Sequence, residues 1–133
     1  MDPSAVNWLA VAVAAALTFV VGGVWYSPLL FGRIWQRLVG LSDAELRKGV
    51  ARTYAASFVC AWLAAANLAF FLGKDATVSF GIAAGAAAGV GWVATAMITT
   101  SLFERRSTAL IAIDVGYHAL SYAMMGALLG AWR

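Results

Sequence analysis

The chain has 133 residues, of which 63% are hydrophobic and 11% charged, and its mean hydropathy is +0.84. Soluble domains carry about 25% charged residues, so these charges cannot clothe a water-soluble surface, and disorder or a collagen-like fibre is excluded by the same composition. The single cysteine, Cys60, forbids an internal disulfide framework and a cysteine-rich zinc site.

Charges divide the chain into long uncharged windows. Pro3 to Gly32 spans 30 residues, Thr53 to Gly73 spans 21 and Ala76 to Phe103 spans 28; Ser107 to Trp132 spans 26, interrupted only by Asp114. A helix needs about 20 apolar residues to cross the hydrocarbon. Each window suffices, and none alternates polar and apolar as a membrane strand would. The expected fold is all-α: an integral membrane four-helix bundle forming one transmembrane domain over 1–133, with spans near 5–26, 53–73, 78–103 and 109–132. The first window has no basic residue before Arg33, so it reads as an uncleaved span rather than a signal peptide.

Ser27-Pro28 ends the first helix, because proline disfavours helix at the residue before it and donates no backbone bond. Residues 29–40 are amphipathic, with Leu30, Phe31, Ile34, Trp35 and Leu38 on one side and Arg33, Gln36 and Arg37 on the other. Such a segment belongs in the headgroup region, anchored by Trp35 and the arginines. Ser42-Asp43-Ala44-Glu45 fits a capping box. The second helix is expected to begin there, at 43, and to run through Arg47, Lys48 and Arg52 into the membrane. Gly73-Lys74-Asp75 and Glu104-Arg105-Arg106-Ser107 are the remaining turns.

Basic residues set the orientation. Arg33, Arg37, Arg47, Lys48, Arg52, Arg105 and Arg106 fall on one side; only Lys74 and Arg133 fall on the other. The first side is expected to be cytoplasmic, in a plasma membrane of the bacterial inner type, with both termini outside the cytoplasm. The basic residues sit at membrane boundaries, where they meet anionic lipid and do not form a nucleic-acid surface. Glu104 is expected to pair with Arg33 or Arg37, fixing the amphipathic segment beside Arg105 at this cytoplasmic interface.

Positions at 100° per residue separate the helix faces. Gly81, Gly85, Gly89, Trp92, Thr95, Ala96 and Thr99 share one side of the third span, and Gly81-xxx-Gly85-xxx-Gly89 is a doubled small-xxx-small stripe for close helix packing. On the fourth span, Gly116, Ala119, Ala123, Gly126 and Gly130 form a small side. Asp114, Tyr117, His118, Ser121 and Met125 form a polar one, leaving Ile113, Leu120 and Ala127 for lipid. Two contact faces imply a homo-oligomer with this helix near the interface, or a monomer with it wedged centrally. Of the deeper tryptophans, Trp62 and Trp92 read as packing residues.

Asp114 and His118 lie one turn apart, and no other charged residue lies well inside a span. An aspartate at mid-helix costs about 2.5–3.5 kcal/mol on insertion scales, which calls for a partner or a task. Depth matching sets Thr99 level with Asp114, Thr95 and Thr18 level with His118, and Asn67 near Tyr122. Several readings compete for this cluster. It is glue between helices, or a path for a proton or small polar solute. A metal site has too few ligands, and haem ligation would rest on one histidine. No metal, cofactor or catalytic residue is expected; with no nucleophile–base pair and no phosphate loop, the chain does not read as an enzyme.

Three stretches, Gly23-Val-Trp-Tyr-Ser-Pro-Leu-Leu-Phe-Gly-Arg-Ile-Trp35, Phe103-Glu-Arg-Arg106 and Gly116-Tyr-His118 with Met125-Gly126, occur in this order over nearly the whole chain. Together they resemble an uncharacterised family of small bacterial and fungal membrane proteins, domain of unknown function seventeen sixty-one. The resemblance implies a four-helix integral membrane protein and carries no activity, cofactor or catalytic residue. Two functions are expected to compete: an oligomeric channel or transporter-like protein for a proton or small polar solute, and an accessory or scaffold subunit docking on a larger membrane complex.

Overall fold

The computed structural model describes residues 2–132. Among them all regular structure is helical. Asp2 caps a short 3-10 turn, Pro3–Ala5, and Asn7 then caps helix α1 (Trp8–Trp25), its Oδ1 accepting from the Ala10 amide at 3.0 Å. The amphipathic segment folds as helix α2 (Gly32–Val39), ended by Gly40 in the left-handed region at φ 76°. Helix α3 (Asp43–Arg47) starts at the expected cap: Ser42 Oγ accepts from the Glu45 amide at 3.2 Å and donates to the Glu45 carboxylate at 3.1 Å.

Continuation of that helix into the membrane is corrected. The chain breaks at Lys48–Gly49, with Gly49 left-handed at φ 66°, and helix α4 (Val50–Leu72) starts afresh. A glycine adopts this conformation without the penalty a side chain would incur. After Gly73, Thr77 caps helix α5 (Val78–Ala88), which runs through a π-helical stretch, Gly89–Ala94, into helix α6 (Thr95–Phe103). Ser107 caps the last helix, α7 (Thr108–Ala131), accepting from the Leu110 amide at 3.2 Å.

Three of these rods are long and apolar enough to cross a membrane: Trp8–Trp25, Val50–Leu72 and Val78–Phe103. Helix α7 has the length, at 24 residues, but is not among them; Asp114, His118 and its tyrosines dilute its apolar content. The long helices run antiparallel in succession. One end of the molecule carries α2, α3 and the arginine-rich turns, and is called the basic end below. The opposite end carries Asn7, the Gly73 turn and Trp132.

The core sits toward the opposite end. Ala10, Val11 and Ala14 of α1 pack with Ala65, Ala66, Leu68 and Leu72 of α4, Ala76, and Met125 and Leu129 of α7. Trp62 stacks on Trp8 at 5.4 Å and packs against this core, as expected for a packing residue. Toward the basic end α4 is loose: residues 51–60 are all exposed, Cys60 included, and its ties to α1 there are ring contacts of Phe19 with Tyr54 and Phe58.

Helices α5 and α7 approach almost backbone to backbone. A Cβ on Gly81 would strike the Gly126 carbonyl, one on Gly85 the Tyr122 carbonyl, and one on Gly126 the Gly81 carbonyl. A Cβ on Gly89 would come within 3.2 Å of the Ala119 Cα, and one on Gly130 within 3.1 Å of the Val78 Cα. The expected glycine stripes therefore find one another. Gly116 departs from its stripe and lies against the Trp25 ring of α1. Ile113, expected to face lipid, is buried at 7% exposure.

The outward rotation of Trp92, Thr95, Ala96 and Thr99 is a second correction. All four are exposed, Trp92 at 77%, while Ala94 is buried. A π-helical turn takes in an extra residue, so every position beyond it is turned away from the 3.6-residue register.

Candidate functional site

The site grows from the corner between α1 and α2. Ser27-Pro28 stops α1, and the chain doubles back on bonds from the Phe31 amide to the Trp25 carbonyl (3.1 Å) and from the Gly32 amide to the Ser27 carbonyl (3.0 Å). Gly32 makes this return fit, since a Cβ there would strike the carbonyl oxygens of Tyr26 and Ser27. The corner packs Trp25 against Phe31 at 4.8 Å and Tyr26 edge-on against Trp35 at 5.6 Å.

Both corner aromatics reach α7. Trp25 Nε1 donates to the Ile113 carbonyl at 3.0 Å, and Tyr26 Oη donates to Asp114 Oδ1 at 2.7 Å. Tyr117 returns the contact, donating to the Thr18 carbonyl at 2.9 Å, with its ring 5.3 Å from Tyr26. Gly116 leaves room for the Trp25 ring, where a Cβ would clash, and Gly22 lies against the Tyr117 ring. The Thr18 side chain is buried and donates to its own helix at Ala15.

Farther along the same face of α7 stand His118 and Ser121. His118 is half-buried, 4.9 Å from the Tyr117 ring, and makes no hydrogen bond among the described residues. Ser121 is 3% exposed and its Oγ has no hydrogen-bond partner among the described residues. Asp114, His118, Ser121 and Met125 follow at helical spacing on one face. Met125, 1% exposed, belongs to the apolar core that closes the opposite half. Toward the basic end α6 buries no residue and α4 is exposed. The polar line thus lies between an apolar plug and an open half.

Four expected members lie elsewhere or face another way. Thr95 and Thr99 are exposed and bond carbonyls of their own helix, Gly91, Trp92 and Thr95. Asn67 is exposed and donates to Leu63 on its own helix, not to Tyr122. Tyr122 is half-buried against Gly85 and Gly89 of the α5 rod. Glu104 pairs with Arg106 at 2.6 Å rather than with Arg33 or Arg37, because the tight turn holding Arg105 left-handed at φ 60° brings its near neighbour round first. Trp35 does meet the site through Tyr26. Two members were missed, Trp25 and Tyr26; their signal was present in the Trp-Tyr-Ser-Pro stretch.

A family model described as protein of unknown function (DUF1761) matches residues 9–130. No curated protein and no solved structure matches the chain.

Proposed function

The chain belongs to this family of unknown function, and from that premise we propose a multi-pass membrane protein of the transport class. Helix α7 is its fourth span, the basic end faces the cytoplasm of a bacterial-type plasma membrane, and a proton or small polar solute is held along Asp114, His118 and Ser121. The reading is one of binding and passage, without catalysis. The observation that carries it is the buried, unpartnered Ser121 Oγ in line with Asp114 and His118, between the plug and the open half. An intramembrane carboxylate with an adjacent imidazole is chemistry suited to relaying a proton or holding a polar group. Both packing faces of α7 are used within the chain, so self-association falls to the exposed faces of α4 and α6.

The test is flux through proteoliposomes carrying a pH-sensitive dye or a radiolabelled solute panel. Asp114→Asn and His118→Ala are expected to lower flux about tenfold or more, the scale of losing a positioned proton carrier. Ser121→Ala, with little structural cost, is expected to lower it less. Equal flux in all three variants, each verified as helical, sinks the reading. The rival, an accessory subunit of a larger complex, draws on the exposed apolar run of α4, with Val50, Tyr54, Phe58, Val59 and Leu63. Co-purification of a defined second membrane protein at fixed stoichiometry would favour it.

A further inference from the structure

We propose that the elbow between α2 and α3 binds the phosphate group of an anionic phospholipid. The inference rests on the membrane reading above, because α2 must lie at the headgroup level. The elbow carries a shallow, widely open hollow of about 500 Å³ lined by Arg33, Gln36, Arg37, Gly40, Leu41 and Ser42. Arg33 and Arg37 stand one helical turn apart and project from the same face of α2. Neither guanidinium has an ion pair or hydrogen bond among the described residues; the acids nearest in sequence are engaged elsewhere. Asp43 accepts from Gln36 Nε2 at 2.8 Å, and Glu45 is held by Ser42.

The hollow is built rather than incidental. Gln36 Nε2 also donates to the Leu41 carbonyl at 3.1 Å, and Gly40 turns the chain through its left-handed φ of 76°. These two devices fix α3 against α2 beside the hollow that Arg33 and Arg37 line. Two planar guanidinium forks are suited to an oxyanion with several acceptor oxygens. The source of that oxyanion is argued from the flank. Leu29, Leu30, Ile34 and Leu38 are all exposed, Leu29 at 93%, and a row of exposed aliphatics beside unpaired arginines fits acyl chains beneath a headgroup.

The experiment uses the full chain in a mild detergent, observed by native mass spectrometry with phosphatidylglycerol and phosphatidylcholine of identical acyl chains. The expected result is one phosphatidylglycerol retained in preference to phosphatidylcholine. In Arg33→Gln/Arg37→Gln that preference weakens roughly thirtyfold, about fivefold per guanidinium. Arg47→Gln/Lys48→Gln, which removes the same charge outside the hollow, should keep it. Equal retention of the two lipids by the unaltered chain overturns the proposal. So does equal loss in both double variants, which would mean diffuse attraction only. Displacement of the lipid by millimolar inorganic phosphate would overturn the lipid assignment in favour of a free anion. A chain that enters neither micelle nor vesicle would overturn the membrane reading itself, and this site with it.

Discussion

Tyr26 and Asp114 hold each other across two helices, and their substitution reads that bond directly. Tyr26→Phe and Asp114→Asn are each expected to cost about 0.5–2 kcal/mol, the range of interhelical bonds in membranes and of bonds to charged groups. Unfolding in mixed micelles of increasing denaturing detergent measures it, and a double-mutant cycle should show the two losses to be non-additive. Fully additive losses would mean the 2.7 Å bond carries no stability. The sequence exposed Asp114 and His118 because a lone ionisable pair stands out in an apolar window. It hid Tyr26, 88 residues away, because only the packing of α1 along α7 brings that phenol to Asp114.

At the scale of elements, glycines divide into those that need their missing side chain and those that do not. Gly81→Ala and Gly126→Ala press a methyl into a backbone carbonyl that cannot yield, so each should cost about 1–3 kcal/mol, the usual toll of overpacking. Gly23→Ala meets nothing within 4 Å and should be neutral or stabilising by up to about 1 kcal/mol through helix propensity. Thermal unfolding of the three variants in one detergent decides the matter; similar stabilities would show that the α5–α7 seam is not close-packed. The glycine stripes were legible because small residues every four positions have few other uses between membrane helices. The outer half of the third rod was not. A 3.6-residue projection assumes an unbroken helix, and the π-helical stretch invalidates it beyond Gly89, turning Trp92 and Thr95 outward. The break at Gly49 escaped because a glycine can take either a helical or a left-handed conformation, and its place in the sequence does not say which.

For the whole molecule, the charge-free windows foretold where the long helices fall and in what order, and three of those helices are long and apolar enough to cross hydrocarbon, which demands about 20 apolar residues. They could not tell which end is tightly packed, a property of matched side-chain sizes across helices far apart in sequence. Cys60 offers a clean probe of the result, being exposed and the chain's only cysteine. It lies ten residues into α4, about 15 Å along the rod. A nitroxide attached there in vesicles should be relaxed strongly by dissolved oxygen and weakly by a water-soluble nickel chelate. The opposite ranking would place this stretch of α4 in water and remove it from the bilayer.

The π-helical stretch also makes the third rod one residue richer than a regular helix joining the same two ends would need. Val90 is exposed and Gly91 has open space beside it, so removing either forfeits almost no contact. Excising Gly91 should let the coil relax to ordinary pitch while both flanks keep their present bearings, leaving the melting point of the purified protein within a few degrees. The same excision at Ala119, on a rod with no surplus, would swing Asp114 and Tyr117 away from α1 and dismantle the corner.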